Sequence, residues 1–208
     1  MPKQNKAKHK SKTKSYDAVA FTVEEAEAGD LYSQLQLAQM YRDGTKIPKN
    51  DATAFRWFSV AALQGDTTAM YEVGNSYALG IGITQDKNEA VKWLYKVASP
   101  ETPNTGIGSQ MLNAQILMAG IYYWPGETHD LAKAYGWLLL AICYAQPWNV
   151  EETPFNRDIL RVQQELAAGL EETKVKFESE MTNDQRTRGQ QMAAELFHPI
   201  EYDNDDEE

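Results

Sequence analysis

A 36-residue echo limits this chain more than any other feature it carries. The stretch from Leu37 to Asp66 returns one period later, with Tyr41 recurring as Tyr77, Gly44 as Gly80, Ile47 as Ile83, Ala54 as Ala90, Trp57 as Trp93 and Ala62 as Ala98. Self-similarity at this period is the signature of stacked helical hairpins, each unable to bury its apolar face alone. The fold class it predicts is all-α, a stack of helix pairs.

Within one period the spacing separates two helices. Helix A carries Leu37, Ala38 and Tyr41 on one stripe and stops at Gly44; helix B places Ala54, Trp57, Phe58, Ala61 and Ala62 at helical spacing. Ala38 and Gly74, three residues before each Tyr, are small enough for two helices to approach closely. Gly29 precedes Tyr41 by the same 12 residues that separate Gly65 from Tyr77. The segment ending at Gly29-Asp30 therefore reads as the tail of a preceding repeat, with glycine supplying the left-handed corner.

The predicted organisation is a basic tail over 1–15, an N-terminal cap over 16–30, repeats over 31–66 and 67–98, an insertion over 99–108, a third repeat over 109–146, capping helices over 147–200 and an acidic tail over 201–208. The third repeat reads Ala119, Gly120, Tyr123, Gly126, Asp130, Ala134 and Trp137; a register shifted by one, on Ala114, Met118, Ala119 and Tyr122, fits equally. The Pro- and Gly-containing insertion reads as a functional loop or as a tolerated one. Thr153-Pro154 and the Thr182/Gln185 capping box predict the starts of two closing helices.

The formal charge of −10 hides a polarised layout. The first tail holds six lysines and no acid, the last six acids and no base, so the body between them itself carries −10. Both tails have little to bury and are expected to be disordered. An acidic body argues against a nucleic-acid-binding fold; the Lys-rich tail is a solubilising segment or an electrostatic anchor. No apolar run suits a secretory signal or a membrane span, so the expectation is a soluble, cytoplasmic protein. Cys143 is the one cysteine, which leaves no intrachain disulfide, and its apolar run predicts a buried thiol.

The pattern Leu37, Tyr41, Gly44, Ile47, Asp51, Ala54, Trp57, Ala61, Ala62 and Gly65 resembles the Sel1-like repeat, a tetratricopeptide-like family, over roughly residues 19 to 146. The stretch Met181-Thr182-Asn183-Asp184-Gln185 with Gln190-Gln191-Met192-Ala193-Ala194-Glu195 is similar to the closing helix of many bacterial members. The resemblance implies a right-handed α-α superhelix, or solenoid, of helix pairs with C-terminal capping helices, acting as a non-enzymatic adaptor or scaffold that binds a partner protein; some members resemble immunity proteins that neutralise a cognate secreted toxin. A reading of another class is a nucleic-acid-associated protein acting through the Lys-rich tail.

No residue is nominated as a catalyst and no cofactor or metal is expected. His9, His129 and His198 lack metal-ligand spacing, with His129 assigned to a helix start, and no phosphate-binding or nucleophile motif is present. By similarity to tetratricopeptide repeats, helix A lines a concave side, and counting from the core Tyr places Tyr32, Gln39, Arg42, Tyr71, Asn75 and Trp124 there. Aromatic and Arg side chains are the usual anchors of a protein interface, and the acidic body would favour a basic partner.

Overall fold

A computed structural model of the chain describes residues 18–99, 109–145 and 157–196. The two charged tails, the insertion from residue 100, Thr153-Pro154, His9 and His198 lie outside the described residues. All regular structure among the described residues is helical: α1 (18–27), α2 (Leu31–Asp43), α3 (Asp51–Leu63), α4 (Thr67–Leu79), α5 (Lys87–Ala98), α6 (Ser109–Tyr123), α7 (Leu131–Ala145), α8 (Arg157–Glu180) and α9 (Asn183–Leu196). They form two compact units, one through Lys96 and one from Val97.

In the N-terminal unit α2 packs on α3 and α3 on α4. Ala38, Ala54, Phe58, Ala61, Ala62, Ala69 and Val73 form one buried cluster, closed off by half-buried Tyr41, Trp57, Tyr77 and Trp93. The aromatic side chains sit around small residues because alanine lets helix axes come close enough for each ring to fill the neighbouring gap. Gly74 marks the tightest approach, since a Cβ there would lie 2.7 Å from Leu94 Cγ.

The helix starts follow one device. Asp30 accepts from Ser33 N at 2.7 Å, Asn50 from Thr53 N at 3.0 Å and Asp66 from Ala69 N at 2.7 Å. Asp86 and Asp130 do the same for α5 and α7. A short side-chain oxygen satisfies amide groups that the first helical turn leaves without partners. Asp51, the acidic residue of the repeat pattern, is the first residue of α3, and the cap is Asn50, 36 positions before Asp86.

Loop hydrogen bonds also fix the register of the third repeat. Asn50 N donates to the Tyr41 carbonyl at 2.8 Å and Asp86 N to the Tyr77 carbonyl at 2.9 Å; the third bond of this kind runs from Asp130 N to Tyr122, at 2.9 Å. Tyr122, rather than Tyr123, is therefore the repeat tyrosine. Buried glutamines agree. Gln34, seven residues before Tyr41, donates from Nε2 to the Ala26 carbonyl, and Gln115, seven before Tyr122, donates to the Ala98 carbonyl, each at 3.1 Å. Ala26 and Ala98 stand two periods apart, so Ala26 of α1 holds the position that Ala98 holds in α5.

In the C-terminal unit α7 is the central helix, packed against α6, α8 and α9. Tyr135, Trp137, Leu138, Leu140 and Ala141 of α7 are all buried. Cys143 is exposed, contrary to the apolar-run expectation. It lies six residues after Trp137, as Leu63 lies six after Trp57, and Leu63 is 79% exposed. That position is the outer edge of helix B, which a run of apolar letters does not reveal.

Candidate interaction surface

The helix A residues singled out by sequence divide between the two units. Five belong to the N-terminal unit. Tyr32 and Gln39 are exposed on α2, and the Tyr32 hydroxyl accepts a hydrogen bond from Gln36 Nε2 at 3.1 Å. Tyr71 and Asn75 are half-buried on α4. Burial, and then the Glu72 carboxylate, push the Tyr71 phenol above its ordinary value, so it stays a neutral donor and acceptor at physiological pH.

Arg42 is not a free anchor. Its Nη1 lies 2.6 Å from Glu72 Oε1, its Nε 3.1 Å from Asp43 Oδ1, and its guanidinium 5.5 Å from the centre of the Phe58 ring. The pair ties α2 to α4 across the stack of two repeats. Burial alone would lower the arginine's affinity for its proton, but Glu72 and Asp43 more than offset this and raise it. Arg42 therefore contributes fixed geometry to the α2–α4 face rather than an unpaired charge.

Trp124, the sixth, lies in the C-terminal unit. It is 62% exposed and meets Tyr123 edge-on, the ring centres 5.5 Å apart. Counting from Tyr122 moves Trp124 to the second position after the repeat tyrosine, and Tyr123 takes the place that Arg42 holds in the first repeat. Tyr123 is engaged by α8. Its ring stacks on Phe177 with centres 4.4 Å apart, and its hydroxyl donates to Glu180 at 2.9 Å. In the first and third repeats, then, the residue after the repeat tyrosine reaches the helix two further along the chain, Arg42 of α2 to Glu72 of α4 and Tyr123 of α6 to Phe177 and Glu180 of α8. The one-residue ambiguity in the sequence concealed this role of Tyr123.

His129 holds its Nδ1 2.9 Å from the Tyr123 carbonyl oxygen, a helix-start contact. Burial raises the Cys143 thiol, with Glu171 adding to the shift, so exposure does not make it a thiolate. Among the described residues no group of three or more His, Cys, Asp or Glu side chains is placed to hold a metal ion. No described helix is long and apolar enough to cross a membrane.

Comparison with known proteins adds four findings. The Sel1 repeat family profile matches residues 31–66, 67–99 and 112–143. The chitin synthase regulator SKT5 of Saccharomyces cerevisiae is 28% identical over 123 residues, which is 58% of this chain and 16% of that protein. The crystal structure of c5321, a protective antigen present in uropathogenic Escherichia coli strains and displaying an SLR fold, superimposes with a TM-score of 0.59 at 20% identity, covering 86% of this chain and 32% of the other. A Sel1 repeat protein from Oxalobacter formigenes is 33% identical over 38% of this chain and 59% of its own, with a TM-score of 0.37. This chain thus spans a minor part of the length of SKT5 and of c5321. With three matched repeats, the Tyr-to-Asx latch present in each and an all-helical fold, the chain belongs to the Sel1-like repeat family.

Proposed function

We propose that the protein is a non-enzymatic adaptor that binds a partner protein on the helix A face formed by α2 and α4. The observation that carries this reading is the pair Tyr32 and Tyr71. Tyr32 is 68% exposed in a helix whose other apolar residues are buried or half-buried, and Tyr71 is half-buried with its hydroxyl neutral. Rigid aromatic side chains with a polar tip bind at low entropic cost. Gln39 and Asn75 sit at matching places in successive repeats and supply donors and acceptors beside them. Trp124 would extend the same function in the C-terminal unit.

Regular backbone and capped helix starts make the face rigid, so binding needs little reorganisation. The −10 charge favours a basic partner by raising the encounter rate. Similarity to SKT5, a chitin synthase regulator, supports a regulatory binding role.

The test is affinity capture with the full chain, partners identified by crosslinking at positions 32 and 71. The double variant Tyr32→Ala/Tyr71→Ala should keep its helical circular dichroism and lose the captured partner. Undiminished capture by a folded double variant sinks the assignment of the face.

A further inference from the structure

The packing of α8 on the α6–α7 hairpin leaves a half-open cavity of about 300 Å³. Ile116, Gly120 and Tyr123 of α6 form one wall, Leu138 of α7 the floor, and Leu170 and Phe177 of α8 the opposite wall. Its polar lining includes Lys176, which is exposed. The volume stands at the low end of small-molecule sites, and at about 30 Å³ per water-sized volume it holds on the order of ten non-hydrogen atoms.

Gly120 is the informative residue. Glycine inside a helix costs roughly 0.5–1 kcal/mol relative to alanine. Gly74 and Gly189 offset that cost by close helix approach, but a Cβ on Gly120 would meet nothing within 4 Å. The corresponding positions of the first two repeats carry Gln39 and Asn75. Only in the third repeat does this position open space, and it opens it on an apolar chamber.

The charges at the rim specify the occupant further. Lys174 is taken by Glu171 at 3.1 Å, and Glu180 accepts from the Tyr123 hydroxyl. Lys176 has no carboxylate within ion-pair distance among the described residues; its Nζ lies 5.5 Å from the centre of the Tyr123 ring. We propose that the cavity binds a small organic monocarboxylate with an apolar body, its hydrocarbon between Ile116, Leu138, Leu170 and Phe177 and its head at Lys176. The proposal concerns the C-terminal unit alone and stands independently of the protein-binding face.

Sodium octanoate titrated into the full chain tests it by calorimetry and methyl NMR. Expected are saturable binding at one site and intermolecular contacts to the Ile116, Leu138 and Leu170 methyl groups. Gly120→Leu should fill the chamber and lower affinity at least about tenfold, with circular dichroism checking its fold, and Lys176→Met should weaken octanoate several-fold without affecting octanol. No saturable binding, or methyl contacts elsewhere, overturns the site. Octanol binding as tightly as octanoate, or octanoate affinity unchanged in Lys176→Met, overturns the carboxylate assignment. If Gly120→Leu does not fold, the methyl contacts in the unaltered protein decide the location.

Discussion

Gly136 and Gly189 lie against each other where α7 crosses α9. A Cβ on Gly189 would come within 2.6 Å of the Ala132 carbonyl oxygen and 3.2 Å of Gly136 N, and one on Gly136 within 3.0 Å of the Gly189 carbonyl oxygen. Neither glycine has positive φ, so closeness of the two backbones is what requires them. Gly189→Ala should destabilise the C-terminal unit by about 1–3 kcal/mol through overpacking, exceeding the roughly 1 kcal/mol gained in helix propensity. Gly169→Ala, on α8 with nothing within 4 Å, should instead stabilise by about 0.5–1 kcal/mol. Urea unfolding of the two variants checks the opposite signs; equal signs contradict the crossing.

The two buried glutamines are unequal in a way that stability can read. Gln34 Oε1 accepts from Gln64 Nε2 at 2.7 Å, whereas Gln115 Oε1 is buried without a partner. Gln34→Met breaks a satisfied network and should cost about 1–2 kcal/mol. Gln115→Met removes an unsatisfied atom along with one good bond and should be close to neutral, as Met70 occupies the same place in the second repeat. Thermal unfolding that ranks the two the other way contradicts this reading.

High pH should weaken the C-terminal unit. The buried Tyr135 hydroxyl donates to Glu178 Oε1 at 2.5 Å, and burial, followed by that carboxylate, pushes its pKa well above its ordinary value. A folded state that holds the proton more tightly than the unfolded one is fully stabilised below about pH 10 and loses that stability as pH rises further, at about 1.4 kcal/mol per pH unit. Tyr135→Phe lacks this proton. It should start less stable at neutral pH and show a flatter decline between pH 10 and 11.5 when unfolding is followed by circular dichroism.

Helix caps offer the fourth check. Asn50→Ala should cost about 1 kcal/mol, because it leaves Thr53 N without its acceptor. Asp51→Ala should cost less: its carboxylate caps nothing and gives the favourable charge of a first helical turn, about 0.3–1 kcal/mol, while its exposed ion pair with Lys49 at 3.3 Å adds little. Calorimetric midpoints of the two variants separate the roles.

Periodicity made the architecture legible, because Tyr41, Gly44, Ala54 and Trp57 each have a counterpart 36 residues on and a repeated unit can bury its face only by stacking. What stayed hidden was local or long-range. Tyr122 and Tyr123 are adjacent and chemically alike, so only the bond from Asp130 N to a carbonyl distinguishes them. Gly136 and Gly189 belong to no shared motif and meet only through tertiary packing. The ion pair of Arg42 was hidden because Glu72 stands 30 residues away. Cys143 read as buried because hydrophobic letters do not tell which side of a helix is covered.

The corners at Gly29-Asp30 and Gly65-Asp66 are built alike: each glycine has positive φ and donates to the alanine three residues back, and each aspartate caps the following helix. They are interchangeable joints. A second copy of residues 31–66 inserted after Asp66 would meet its neighbours through seams the chain already contains, so the molecule could be extended by a whole module with no new junction to invent.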